Sequence, residues 1–497
     1  MKKGDPIPKL ALFIAVTLVA VLATLPGLAA KPANLGINLD SGTPGLSFVP
    51  YLSRGDARLL TANNPVYMPY MSRNAPYSTL FGVEMQITAG GGMNQMAEAG
   101  TNWVRRNGLL WSSVSPNNST ERNWPASLEQ ELINASSKRM TVVLIVRSTP
   151  TWAQAVPGYY CGPIKPGNYQ DFANFMFDAV RRYSQPPYNV KFWEIWNEPD
   201  VDWNLPNVAM DDPFGCWGNN NLADPYYGGW EFGQMLATVT PAVHAADPEA
   251  KVLVGGLLMD CHPDYCPSQD AKRPIGFMEG VLQSGGTAAF DGVAFHGYDY
   301  YKGSENYANE KWNSYSQTTG PVIMAKASYL RALLDSYPGG TSKFLMNTES
   351  ALRKDSAGQT RAVYVTQAYA MSIKANLRAN IWYAATGWVG EYTELLAPGS
   401  LTAQPAYFAF RFARNMLQDA YFVRDVNDYA DARVYEFNRQ GRLVWLLWSL
   451  TPAEQSVPLP NLPLAIYTWD KVTNNYISAP VSGNILVTRT PVYIEWQ

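Results

Sequence analysis

From about residue 80 onward, short apolar runs recur along the chain, each followed by a stretch with helical periodicity. The runs are Leu80–Gln86, Asn102–Arg106, Thr141–Arg147, Val190–Trp196, Lys251–Gly255, Gly292–His296, Lys343–Asn347 and Ala379–Tyr383. Runs that are continuously apolar, rather than alternating, are what strands covered on both faces require. Between them, Phe172, Phe175, Met176, Ala179, Val180 and Tyr183 fall at i, i+3, i+4, i+7, i+8 and i+11, one apolar stripe of a helix. Phe232, Met235, Leu236 and Val239 form another. Eight such strand and helix pairs predict a (β/α)8 TIM barrel with enlarged loops over residues 79–419. A doubly wound open sheet is the alternative, but the chain lacks its phosphate-binding loop, since Gln95 stands where GxGxxG after the first run needs its last glycine.

Past residue 420 the pattern changes to strands separated by turns: Ala432–Asn438, Arg442–Ser449, Ala465–Trp469 and Asn484–Glu495. Arg439-Gln440-Gly441 and Thr473-Asn474-Asn475 mark hairpins between them. This predicts a small C-terminal β-sandwich over residues 420–497. Residues 31–78, rich in Pro, Gly and Asn, read as an extension or linker that could add strands to it. Residues 1–30 carry a targeting pattern: Lys2, Lys3 and Lys9, an uncharged run from Leu10 to Leu25, then Pro26-Gly27 and Ala29-Ala30. The run is shorter than the roughly 20 residues a bilayer span needs, so a cleaved signal peptide is the first reading and an uncleaved anchor the second. Either places the folded part outside the cytoplasm, secreted or held at the outer face of the membrane.

In that setting the four cysteines, Cys161, Cys216, Cys261 and Cys266, predict two disulfides. The economical pairing joins Cys261 to Cys266 locally and leaves Cys161 with Cys216. A zinc site built on Cys261, Cys266 and His262 would lack a second close ligand pair, so no metal is expected, and no organic cofactor. Hydrophobic residues make up 47% and charged ones 16%, which excludes a disordered chain. A net charge of −3 without a basic run excludes the electrostatic footprint of a nucleic-acid binder.

In a TIM barrel the functional groups stand at the C-terminal ends of the strands. Two carboxylates stand there: Glu198, after the fourth run in Trp193-Glu194-Ile195-Trp196-Asn197-Glu198-Pro199-Asp200, and Glu349, ending the seventh in Phe344-Leu345-Met346-Asn347-Thr348-Glu349. Facing carboxyl groups about 5 to 5.5 Å apart would suit a retaining glycosidase, and a gap of about 6.5 Å or more an inverting one. The WNEP run at Trp196 to Pro199 with a Glu ending the seventh strand resembles the clan A glycoside hydrolases, closest to families 39 and 5. Trp103-Val104-Arg105, Thr149-Pro150-Thr151-Trp152-Ala153 and His296-Gly297-Tyr298 resemble that clan's other strand ends.

The resemblance implies a retaining β-glycoside hydrolase acting on poly- or oligosaccharides, with Glu198 as acid/base and Glu349 as nucleophile. It implies further that Arg105, rather than its positional rival Arg106, lies beside Glu349 and favours its ionised form. Asn197 would donate to the sugar 2-OH, Tyr298 would hydrogen-bond the nucleophile, and His296 would serve a subsite or support the carboxylates. In a strict strand Asn197 and Glu198 point to opposite faces, so both can reach a sugar only where the strand has ended or bulged. Trp382 is the choice for the aromatic floor under the reacting sugar, with Trp388 its rival. Trp152 and Trp203 stand on loops of the same face and could line further subsites. Two other classes compete: a glycan-binding protein on the same scaffold that does not turn over, and a cell-wall structural module without a pocket. The intact carboxylate pair argues against the first, since a pure binder has no need for both.

Overall fold

The computed structural model describes residues 80–202, 214–219, 221, 223–262, 264, 266, 273–312, 320–388 and 390–497. The targeting segment, the extension over 31–78 and Trp203 lie outside the described residues.

Strands β1 (Phe81–Glu84), β2 (Trp103–Leu110), β3 (Thr141–Arg147), β4 (Phe192–Asn197), β5 (Lys251–Leu257) and β6 (Gly292–Gly303) are followed by a short hairpin strand β7 (Asn306–Ala308). Then come β8 (Phe344–Arg353) and β9 (Asn380–Trp382). Their order is β5-β4-β3-β2-β1-β9-β8-β6-β7, and β5 also pairs with β6, which closes the ring. Every pairing is parallel except that of β7, which folds back antiparallel on the long β6. The helices are α1 (Met93–Glu98), α2 (Trp111–Val114), α3 (Ala126–Ser137), α4 (Tyr169–Tyr183), α5 (Gly229–Ala246), α6 (Gly276–Gly285), α7 (Ile323–Asp335), α8 (Gln359–Lys374) and α9 (Pro405–Leu417). The eight-stranded barrel predicted from the apolar runs is therefore present, with each run inside or overlapping a strand.

Alternation along the strands decides what fills the barrel. Trp103, Val143, Phe192, Leu253, Ala294, Met346 and Ile381 form one buried layer inside it. Their sequence neighbours Val104, Val142, Trp193 and Val252 belong to the larger cluster shared with the helices. Two residues further along β2 and β4, the inward positions carry Arg105 and Glu194 instead of apolar side chains. The barrel is thus closed below by hydrocarbon and charged above, where the strands end.

From Ala420 the chain forms an antiparallel six-stranded sheet with β10 (Ala420–Asp425), β11 (Ala432–Arg439), β12 (Arg442–Ser449), β14 (Ala465–Asp470), β15 (Asn475–Ala479) and β17 (Val492–Glu495). A second, two-stranded sheet pairs β13 (Gln455–Pro458) with β16 (Asn484–Val487). Val434, Trp445, Leu447, Val457, Ile466, Val487 and Ile494 pack between the two sheets, making the predicted sandwich. The other face of the large sheet lies on α9, where the Phe412 ring meets those of Tyr467, Tyr476 and Tyr493. Arg439 pairs with Arg442 across Gln440 and Gly441, both at positive φ, the two-residue turn whose twist suits a hairpin. The single run expected over Asn484–Glu495 is two strands in two sheets, with the chain crossing between layers.

Candidate active site

Two local departures from strand geometry build the mouth of the barrel. At the end of β4, Trp196 and Glu198 both take left-handed backbone conformations, φ 68° and 47°. Each costs a non-glycine residue about 1 to 3 kcal/mol. They turn the chain so that consecutive side chains, Asn197 and Glu198, join one buried cluster, Asn197 through Arg105 and Glu198 through His296, which answers the alternation problem posed by the sequence. On β8 the register with β6 slips: Phe295 pairs with Asn347, but His296 pairs with Glu349. The extra residue, Thr348, is a bulge, and it lets Thr348 and Glu349 share the barrel side. The Thr348 hydroxyl stands 3.4 Å from Glu194 while Glu349 reaches Arg105.

Arg105, 1% exposed, is the hub. Its Nε and Nη2 donate to the two oxygens of Glu194 at 3.1 and 2.7 Å, its Nη2 to Asn197 Oδ1 at 2.6 Å, and its Nη1 to Glu84 at 2.7 Å and to Glu349. One planar cation thereby orders three carboxylates and an amide, which a lysine's point charge could not do. Arg106, next in sequence, points out of the barrel and donates to Glu131 on α3 at 2.6 and 2.9 Å. The strand's own alternation separates the two arginines.

Glu349 also accepts a hydrogen bond from the Tyr298 hydroxyl. Among the described residues no arginine hydrogen-bonds Glu198; its Oε1 is 2.7 Å from His296 Nδ1. The other imidazole nitrogen lies 3.5 Å from Glu349. An oxygen of Glu198, an oxygen of Glu349 and a ring nitrogen of His296 all lie within 4.8 Å of one another. Three such donors could embrace a cation by distance, but the Arg105 guanidinium already lies on Glu349 and His296 Nδ1 is engaged by Glu198. The set does not suit a metal ion.

Burial raises both carboxyls, and unequally. For Glu198, loss of water and the charge of Glu349 push the pKa well above the usual carboxylate range. For Glu349, burial again acts first, but Arg105 and the Tyr298 hydroxyl pull back, leaving a smaller rise. Arg105 does favour the ionised form of Glu349, but burial outweighs it: a buried site costs the anion more than one shared cation returns. Burial, with Arg105 and Lys326 nearby, holds His296 neutral, so its bond to Glu198 is a hydrogen bond rather than an ion pair.

The aromatic expectations need revision. Trp382 is fully buried, and its indole N–H donates to the Thr393 carbonyl at 2.7 Å, which leaves it no face for a sugar. The half-buried aromatics beside Tyr298 are Tyr383 and Trp388, whose rings lie 6.5 and 6.0 Å from its own. Trp152 lies away from the carboxylates: its ring packs on Trp111, its indole N–H donates to the Ser115 carbonyl, and it lines a flank crevice with Arg122, Asp171 and Asn174.

Sequence reasoning passed over Glu84, Asp200 and Lys326. Glu84 ends β1, inside the first apolar run, and pairs in register with Arg105, so the strand-end rule that found Glu349 would have found it once the strand's end was known. Burial lifts its pKa to about 7. Asp200 accepts from the amides of Leu258 and Met259 at 2.9 and 2.8 Å, and Lys326 comes from α7, where no strand-end signal exists. The disulfides are Cys161–Cys216 and Cys261–Cys266, so neither cysteine beside His262 offers a thiolate. The Cys161 carbonyl accepts the indole N–H of Trp196 at 2.8 Å, which ties the first bridge to the turn that presents Glu198.

Solved structures share this architecture at low sequence identity. A family 39 glycoside hydrolase from the gut symbiont Bacteroides cellulosilyticus WH2 superposes with a TM-score of 0.64 at 17% identity, over 85% of this chain and 82% of that one. A family 30 endoxylanase from Clostridium papyrosolvens C71 gives 0.54 at 13% identity over 84% and 96%. A monomeric β-xylosidase from Caulobacter crescentus CB15 gives 0.51 at 15% over 84% and 96%. No protein-family model matches the chain, and no curated protein does. The fold is that of these glycoside hydrolases, a (β/α)8 barrel carrying a β-sandwich.

Proposed function

We propose that the chain is a retaining β-glycoside hydrolase that acts on a carbohydrate polymer or its oligosaccharides outside the cytoplasm. The observation that carries the reading is the carboxylate pair: oxygens of Glu198 and Glu349 within 4.8 Å of each other at the C-terminal ends of the barrel strands, in unequal surroundings. That separation is on the short side of the gap that divides retaining from inverting pairs, and leaves no room for a water between acid and base. The neighbours' activities, endoxylanase and β-xylosidase among them, fit the reading. The disulfides fit an oxidising compartment.

In the first half-reaction a Glu349 oxygen attacks the anomeric carbon while the bond to the leaving oxygen breaks, and that oxygen takes the proton of Glu198. Arg105 and Tyr298 hold Glu349 in place and keep it anionic beforehand. Once Glu349 is an ester, its charge no longer opposes ionisation of Glu198. Glu198 then takes a proton from water, whose oxygen attacks the same carbon and frees Glu349. Asn197, fixed by Arg105 through its carbonyl oxygen, would offer its amide to the sugar 2-OH. Tyr383 or Trp388 would lie against the ring.

Turnover of aryl β-glycosides and a polysaccharide panel by wild type and Glu198→Ala tests the assignment. Equal turnover by the two would remove Glu198 from the acid role. Binding of a glycan without any product would instead favour the non-catalytic glycan-binding alternative.

A further inference from the structure

Lys326 is a buried cation that the mechanism above does not use. It rises from α7 toward the ends of β5 and β6, 3% exposed. Its ammonium donates to the main-chain carbonyls of Leu258 and His296, each at 2.7 Å, and lies 5.6 Å from the centre of the Trp312 ring. Among the described residues no carboxylate oxygen stands within 4.0 Å of it. An ammonium buried without a carboxylate in contact is costly, and a hydrocarbon side chain of similar length would be cheaper to fold. Sites that keep such a charge are commonly those that use it.

Acidic groups face Lys326 from every side at longer range. Glu198 and Asp200 come from the turn after β4, and Asp299 from β6. Asp260, after β5, is also ion-paired with Lys311 at 2.5 Å. Asp299 is held by the Val322 amide and the Tyr364 hydroxyl, each at 2.9 Å, and Asp200 by two backbone amides. His296 is neutral, and Arg331 on the same helix is bound to Asp335 instead. Of these acids only Glu198 is placed to exchange a proton with a substrate.

The reaction moves negative charge between two places. It begins on Glu349, beside Arg105, and after the glycosyl ester forms it resides on Glu198, on the side of His296 and Lys326. We propose that Lys326 is the positioning residue for that second place: it fixes the His296 backbone, hence the imidazole on Glu198, and supplies the counter-charge that lets Glu198 give up its proton. This rests on the acid/base reading of Glu198. Burial lowers the pKa of Lys326 to about 8, the surrounding acids opposing the fall, so the side chain is charged at neutral pH.

The test uses Lys326→Gln, which keeps hydrogen-bond donors but no charge, and Lys326→Arg, which keeps the charge. An aryl 2-deoxy-2-fluoro glycoside with a dinitrophenyl leaving group needs no acid, so its labelling rate reports an intact nucleophile. With labelling within about twofold of wild type, Lys326→Gln should lose about tenfold in kcat/KM on a glycoside with a poor leaving group. The acid limb of reactivation of its labelled form should move up by about 1 pH unit, and Lys326→Arg should restore both. Lys326→Met, similar in volume, should behave as the Gln variant does and serves if that variant does not fold. Unchanged leaving-group dependence and an unchanged reactivation profile in the uncharged variants, with only the melting temperature altered, would overturn the proposal. Failure of wild type to label at all would instead sink the retaining reading on which it rests.

Discussion

Glu198 and Glu349 are the same amino acid within one buried cluster, and what separates them is the hydrogen-bond donors each one meets. Arg105 and Tyr298 serve Glu349, while Glu198 has a neutral imidazole. Two limbs of a pH profile follow from that difference. kcat/KM should fall on the acid side as Glu349 takes a proton, at a pH above the ordinary glutamate value because its pKa is raised. It should fall on the alkaline side as Glu198, raised further, loses one. Glu198→Ala should cost about 10² to 10⁴ in kcat/KM on substrates with poor leaving groups and abolish the alkaline limb, which a pH series on both proteins would read directly. Arg105→Met removes the cation that Glu84, Glu194 and Glu349 share. Breaking one side of a buried pair typically costs about 3 to 5 kcal/mol, so urea unfolding should show a loss of at least that size. A loss below about 1 kcal/mol would mean the carboxylates are neutral in the folded chain.

At the level of strands and loops, the site depends on the places where regular geometry fails. The family resemblance, not the spacing, chose Arg105 over Arg106, and neither the turn at Trp196 and Glu198 nor the bulge at Thr348 is written in the apolar pattern. Both are tertiary: the Glu198 amide donates to the Gly256 carbonyl on the next strand, and the chain bends to make that bond. Gly256 shows how closely the elements approach. A methyl group there would lie 2.1 Å from His296 Nε2 and 2.8 Å from a Glu194 oxygen. Gly256→Ala should therefore displace His296 from Glu198 and lower kcat/KM by about 10², since displacements near 1 Å at a reacting centre carry that order of cost. Activity within twofold of wild type would show that His296 is not needed where it stands. The bridge between Cys161 and Cys216 closes a loop of 55 residues, against 5 for Cys261–Cys266. On chain entropy alone the first should contribute about 4 kcal/mol and the second about 2. Thermal melts of Cys161→Ala and Cys261→Ala should rank accordingly, with only the former also disturbing the turn under Glu198. The aromatic floor was misread for a related reason: periodicity says that Trp382 ends a strand, not which way the chain turns after it to bury that ring and expose Tyr383 and Trp388.

For the whole molecule, the barrel was legible because parallel strands covered on both faces leave uninterrupted apolar runs, and the sandwich because hairpin turns punctuate alternating strands. Strands such as β10, β13 and β15, short and half-exposed, left no comparable mark. What the chain keeps buried also sets how its stability responds to pH. Burial raises Glu84 to about 7 and Asp200 and Asp299 to about 6, and it raises Glu198 and Glu349 as well. A carboxyl whose folded pKa exceeds its unfolded one favours the fold while protonated. That stability is complete below about pH 4 and is lost as pH rises through 6 to 7. Urea unfolding should accordingly give a higher free energy at pH 5 than at pH 8, and equal or greater stability at pH 8 would contradict the buried-acid picture.

The central claim is that Glu349 forms a covalent bond to the sugar and Glu198 does not. Incubation with a dinitrophenyl 2-deoxy-2-fluoro-β-glycoside, followed by proteolysis and peptide mass spectrometry, reads this in one step. The account predicts a single fluoroglycosyl adduct on the peptide containing Glu349, formed by wild type and absent from Glu349→Gln. An adduct on Glu198 or Glu84, or hydrolysis of active substrates with inversion and no adduct, would contradict it.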